Sequence, residues 1–181
     1  MVTIDQGTAH QSGGGVYVGV SNNNIQMDDI IITSCMSYSS GGGIQIYSQN
    51  KNLVLRQIKA DHCSSETGDG GALSIFQYNN NVIITNSTFS FSTASYGDGG
   101  AISIDSYNSY INIEGSTIDH CNAKGDEVDY DYYYSGFVVN DGYGGGVYMH
   151  ENNHHINIVH STFSLNTASY GDGGGVFMSK G

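Results

Sequence analysis

The chain of 181 residues has no proline and no tryptophan, a single arginine (Arg56), and only five basic residues against 17 acidic ones. The missing proline is unexpected in so glycine-rich a sequence, because ordinary domains carry about 5%. Proline has no amide hydrogen to give to a ladder and is confined to edges and turns. Its exclusion therefore points to a backbone whose N–H groups are nearly all committed to sheet pairing. The shortage of cations leaves a formal net charge of −12, which argues against nucleic acid and anionic membranes, since phosphates are held by clustered Lys and Arg. Long apolar runs are missing too. The longest, around Ile30 to Ile32, falls far short of the roughly 20 residues a membrane helix needs. No 3.6-residue periodicity persists long enough to mark a helix.

What is present is glycine, 26 residues, and tyrosine, 14, within a hydrophobic fraction of 38%. The abundance of Ile, Val and Tyr favours a folded β-protein over a disordered chain. A small-residue triplet followed by an aliphatic recurs at Gly13-Gly14-Gly15-Val16, Gly41-Gly42-Gly43-Ile44, Gly70-Gly71-Ala72-Leu73, Gly99-Gly100-Ala101-Ile102, Gly144-Gly145-Gly146-Val147 and Gly173-Gly174-Gly175-Val176. The steps are 28, 29, 29, 45 and 29, a period of 29 broken by one 16-residue insertion. Independent columns keep the same register: Ile25, Leu53, Val82, Ile111 and Ile156, and two residues on Met27, Leu55, Ile84, Ile113 and Ile158.

After each triplet the first and third positions are apolar. The position between them runs through Tyr17, Gln45, Ser74, Ser103, Tyr148 and Phe177, the alternation of a strand with one buried face. A third short strand is centred on Ile32, Ala60, Phe89, Ile118 and Phe163. Three strands per repeat, none able to bury its apolar face alone, predict stacked coils with like residues about 4.8 Å apart. The fold expected is all-β: a right-handed parallel β-helix, the hand following the rule for parallel crossovers. The expectation is five to six coils of about 29 residues in a single solenoid segment spanning 1–181. An antiparallel sandwich does not explain identical columns at 29-residue steps.

Phe163-Ser164-Leu165-Asn166, followed by Gly173-Gly174-Gly175-Val176, resembles the FxxN and GGAI pair of the polymorphic outer membrane protein repeats, within the pectin-lyase-like β-helix superfamily. Gly99-Gly100-Ala101-Ile102 is similar to the second motif letter for letter. The positions equivalent to the motif asparagine elsewhere are Cys35, Cys63, Ser92 and Cys121. The resemblance implies an exported, surface-displayed stalk used in adhesion and not an enzyme. The expected location is extracellular or at the cell surface, and the expected partners are a protein or glycan on a surface, or further copies of the chain. Met1 to His10 lacks the basic start and apolar stretch of a signal peptide, and no capping element is evident at either end. The chain is accordingly expected to be part of a longer solenoid, or a subunit stacked end to end into filaments.

Several clusters invite a chemical reading. Asp69, Asp98 and Asp172 sit in Gly-Asp-Gly-Gly turns, where Asp supplies turn geometry; calcium is the cofactor such an acidic ladder would take. Cys35 and Cys63 fall on adjacent coils, close enough for a disulfide, although buried packing accounts for the column as well. Asp61-His62-Cys63 and Asp119-His120-Cys121 suggest metal, but lie two coils apart. His150, His154, His155 and His160 crowd one coil and form a candidate pH-responsive or metal patch. Asn86-Ser87-Thr88 is a glycosylation sequon.

The insertion, 126–143, is rich in acid and tyrosine: Asp126, Glu127, Asp129, Tyr130, Asp131, Tyr132, Tyr133, Tyr134 and Tyr143. Loops that leave a rigid scaffold carry function more often than the scaffold does, and tyrosine suits protein or glycan recognition. A flap packed on the side of the solenoid is an equal reading. The enzymatic rival is a polysaccharide lyase or hydrolase. For a lyase, the basic residues Lys51, Arg56 and Lys59 are confined to one coil. For a hydrolase, which needs carboxylates about 5 to 10 Å apart, Asp105 with Glu114, or Asp119 with Asp98, are the nominees.

Overall fold

The computed structural model describes residues 1–125 and 142–179, and among them it contains 23 β-strands and no helix. The strands form four sheets in which every pairing is parallel. The first sheet stacks Val2–Asp5, Ile30–Thr33, Lys59–Asp61, Thr88–Ser90, Thr117–Asp119 and Thr162–Ser164. The second stacks two-residue strands, Thr8–Ala9, Met36–Ser37, Ser64–Ser65, Thr93–Ala94, Asn122–Ala123 and Thr167–Ala168. The third contains the segments after the glycine triplets, from Val16–Val18 to Val176–Met178. The fourth holds the longest strands, Asn23–Asp28, Lys51–Arg56, Asn80–Thr85, Ser109–Glu114 and His154–Val159. The protein is a parallel β-helix of about six coils.

The repeat columns become the pairing register. Leu53 faces Val82 and Val82 faces Ile111 in the fourth sheet, Ile44, Leu73 and Ile102 align in the third, and Ala60, Phe89 and Ile118 align in the first. Their side chains close the interior, where Ile32, Leu53, Leu55, Ile75, Phe89, Ile104 and Ile113 are fully buried. Each of the first five coils has four strands and not three. The extra strand of the second sheet is two residues long, too short for alternation to mark it in the sequence. A second difference lies in the third sheet, whose outward positions Gln45, Ser74, Ser103 and Tyr148 are buried as well.

Left-handed residues make the corners. In one coil they are Gln57, His62, Gly70, Tyr78 and Asn81, and in the next Asn86, Phe91, Gly99, Tyr107 and Tyr110. In these two coils only the Gly70 and Gly99 corner uses glycine. The next residue, Gly71, is needed for a different reason: a Cβ there would lie 2.4 Å from the carbonyl oxygen of Gly100 and 2.5 Å from that of Thr93.

The corner between the third and fourth sheets is sealed from within by an asparagine ladder. Asn22 N–H donates to Oδ1 of Asn50, Asn50 N–H to Asn79, Asn79 N–H to Asn108 and Asn108 N–H to Asn153, at 2.8–3.0 Å. The carboxamide nitrogens of Asn50 and Asn79 close back onto the carbonyls of Gly19 and Tyr47. Turn amides that would otherwise be buried unsatisfied are thus paired.

Candidate functional site

Outside this ladder, on the same edge of the solenoid, the chain displays aromatic rings. Tyr47 stacks on Phe76 at 5.1 Å and meets Tyr17 at 6.1 Å. Tyr78 stacks on Tyr107 at 5.2 Å, and Tyr110 on His155 at 4.5 Å. Tyr78, Tyr107 and Tyr110 have φ of 60°, 62° and 55°, a region that costs a bulky residue roughly 1–2 kcal/mol and is ordinarily left to Gly, Asn or Asp. All three are nonetheless about half exposed. The 29-residue spacing of Tyr78 and Tyr107 was the signal available in the sequence.

Where the ring column gives way to smaller side chains, two depressions open. One is lined by Ser21, Asn22, Asn23, Gln49, Lys51 and Tyr78, and the other by Gln11, Ser12, Tyr17 and Tyr47. The first measures about 460 Å³, within the range of small-ligand pockets, about 300–1,000 Å³.

The acidic turns do not make a cation cage. Asp69 Oδ1 accepts the N–H of Asp98, and Asp98 Oδ1 accepts that of Tyr143. Tyr143 thereby occupies the rung between Asp98 and the exposed Asp172, so the three aspartates do not converge. Among the described residues no group of three or more His, Cys, Asp or Glu side chains is placed to hold a metal ion.

Asp69 does gain a different neighbour. Burial raises its carboxyl above the ordinary range, helped by the charge of Asp105 and opposed by the Asp98 N–H. Tyr148 is pushed up by burial and by the charges of Asp98, Asp69 and Asp105. The charges of Asp69, Asp98 and Asp105 thus all bear on Tyr148, which pairs in register with Ser103. The Ser103 hydroxyl, 1% exposed as a residue, has no hydrogen-bond partner among the described residues. Neither nominated pair is brought together in this way, since Glu114 lies on the fourth sheet and Asp119 on the first.

Both Asp-His-Cys tripeptides point their parts in different directions. The His62 ring meets Asp61 at 2.9 Å and the His120 ring meets Asp119 at 2.7 Å, while Cys63 and Cys121 face the core. Phe91 stacks between the two imidazoles, 5.0 Å from one and 4.8 Å from the other. Burial works to raise the Asp61 carboxyl, but hydrogen bonds from Ser90 and His62 outweigh it and the net shift is downward. Asp119 is lowered by its bonds from Ser164 and His120. Cys35, Cys63 and Cys121 are free and buried, with no disulfide between the first two. Desolvation lifts the Cys63 thiol to about 12 and the Cys121 thiol to about 11.

His150 bonds to Ser106 at 2.5 Å and lies 3.9 Å from Asp105, while His155 packs on Tyr110, so the histidine-rich coil faces several ways. Asn86 is an exposed corner residue with φ of 50°. Of the insertion, Tyr143 is held on the coil, with its ring 4.5 Å from Phe177. Asp126, Glu127, Asp129, Tyr130, Asp131, Tyr132, Tyr133 and Tyr134 lie outside the described residues.

Comparison with known proteins finds no matching family model, no matching curated protein and no matching solved structure. The resemblance to the polymorphic outer membrane protein repeat rests on the Phe163 to Asn166 and glycine-triplet residues.

Proposed function

We propose that the chain is an adhesive module of an extracellular or cell-surface β-helix, a rigid rod that binds through the side-chain ladders on its outside. The observation that carries this reading is the set of half-exposed rings at Tyr78, Tyr107 and Tyr110, each held in a left-handed conformation. Strain kept without an interior packing gain points to use at the surface. Stacked coils fix these rings before any partner arrives, which lowers the ordering cost of binding. Beads coated with the chain and washed over glycan-coated, matrix-protein-coated and bare surfaces test the reading. Attachment to a coated surface above the bare control is expected, and equal attachment to all three would sink it.

A second reading has one observation in its favour, the Asp69 carboxyl, which accepts the Asp98 N–H at 2.8 Å and is raised by burial and by the charge of Asp105. A carboxyl raised by burial and set among other carboxyls is the kind of group a glycoside hydrolase uses as its acid. New reducing ends from a polysaccharide panel, abolished in D69N or D105N, would favour this reading over the first.

A further inference from the structure

The depression beneath Tyr78 has a composition that selects among ligands. Its wall is a phenol ring, 52% exposed, of which one face is already covered by Tyr107. The other face looks along the axis toward the lower rungs of the same corner column, Gln49 and Ser21, whose smaller side chains leave the space open. Its floor and rim consist of amides and one ammonium. Asn52 Nδ2 donates to Oδ1 of Asn23, so the Asn23 amide nitrogen remains available. Ser21 donates to Oε1 of Gln49, so the Gln49 amide nitrogen is available too. Asn22 spends its amide nitrogen on Asn50 and keeps its oxygen. Lys51 forms no ion pair among the described residues.

We propose that this depression binds a neutral oligosaccharide, one sugar ring lying on the open face of Tyr78. A pyranose has an apolar C–H face bordered by hydroxyls. It therefore matches a flat ring flanked by the donors of Asn23, Gln49 and Lys51 and the acceptor of Asn22. A metal ion finds no carboxylate in this lining, and an apolar ligand would leave the amides unpaired. A polyuronate would approach a molecule of net charge −12 and be repelled over most of its length. The floor is pre-formed, because Asn22 is the first rung of the asparagine ladder and Gln49 and Ser21 have corner φ values of 59° and 60°. The proposal names the ligand class for the adhesive reading and rests on it.

The test is an NMR titration of the isotope-labelled chain with cellohexaose, xylohexaose and N-acetylchitohexaose, with trigalacturonate as the charged comparison. At least one neutral probe is expected to shift the signals of Tyr78, Gln49, Asn23 and Lys51. The variant Y78N, in which asparagine is comfortable at positive φ, is expected to keep the unfolding midpoint and bind at least tenfold more weakly. Q49A combined with K51Q serves as a second variant, expected to weaken binding without touching the ring. Absence of shifts with every neutral probe, shifts with trigalacturonate alone, or unchanged binding in the variants would overturn the site. Beads that still adhere when coated with Y78N would overturn this site while leaving adhesion intact. Failure of wild-type beads to adhere would remove the adhesive reading itself.

Discussion

Ser90 reaches across to the neighbouring coil and donates its hydroxyl to Oδ1 of Asp61 at 2.6 Å. The same bond joins Thr33 to Asp5 and Ser164 to Asp119. Along this column aspartate and hydroxyl alternate: Asp5, Thr33, Asp61, Ser90, Asp119, Ser164. Each carboxylate is thus separated from the next by a donor.

Breaking the alternation should be costly. S90D stacks three carboxylates about 4.8 Å apart, and each new like-charge pair opposes folding by about 1 kcal/mol even in water-like surroundings. The hydrogen bond lost adds about 1 kcal/mol more. Thermal unfolding at pH 7 and low salt is expected to shift down by roughly 6–12 °C, and the deficit should shrink below pH 4 and in molar salt. A pH-independent deficit, equal to that of S90A, would show that charge is not the cause.

The asparagine ladder predicts a larger penalty at one atom. In N79A the Asn50 N–H, now paired with Asn79 Oδ1, and the Tyr47 carbonyl, now paired with Asn79 Nδ2, both lose their partners. Stability measured by urea unfolding should fall by about 2–4 kcal/mol, against less than about 0.5 kcal/mol for the exposed N157A.

Asp69 gives a pH dependence of definite sign. Its folded-state affinity for a proton exceeds that of the unfolded chain. The folded state therefore holds the extra proton between the two pKa values, and stability is lost as pH rises through that window. D69N, which can still accept the Asp98 N–H, is expected to raise the unfolding temperature at pH 7. The gain should vanish at pH 3. An unchanged or lower midpoint at pH 7 would contradict the assignment.

The thiols should be silent in the folded protein. Cys63 and Cys121, raised to about 12 and about 11 by burial, are almost wholly protonated at pH 8, and the thiolate is the reactive form. Iodoacetamide labelling followed by mass spectrometry is expected to leave both unmodified in buffer and to modify both in urea.

Much of the architecture was legible because it is enforced by sterics that repeat. Gly70 and Gly71 tolerate no side chain, and Leu53, Val82 and Ile111 must overlie one another to fill the interior, so both leave periodic marks. The asparagines at 22, 50, 79, 108 and 153 follow the same steps but sit among other polar residues, where a column looks like ordinary loop composition. Tyr78 and Tyr107 were hidden for the opposite reason: corner positions are usually polar or glycine, so aromatic residues there read as strand. The influence of Asp105 on Asp69 runs between residues of different coils, and no single period encodes it.

The coil-to-coil hydrogen bonds lie along the solenoid axis. A pull applied to its two ends therefore loads them one coil after another and not all at once. A coil occupies about 4.8 Å of axis while folded and, with 29 residues, gives roughly 100 Å of chain when drawn straight. Stretched between two anchors, the molecule is a stepwise extender whose steps would appear as a regular sawtooth in a single-molecule pulling trace.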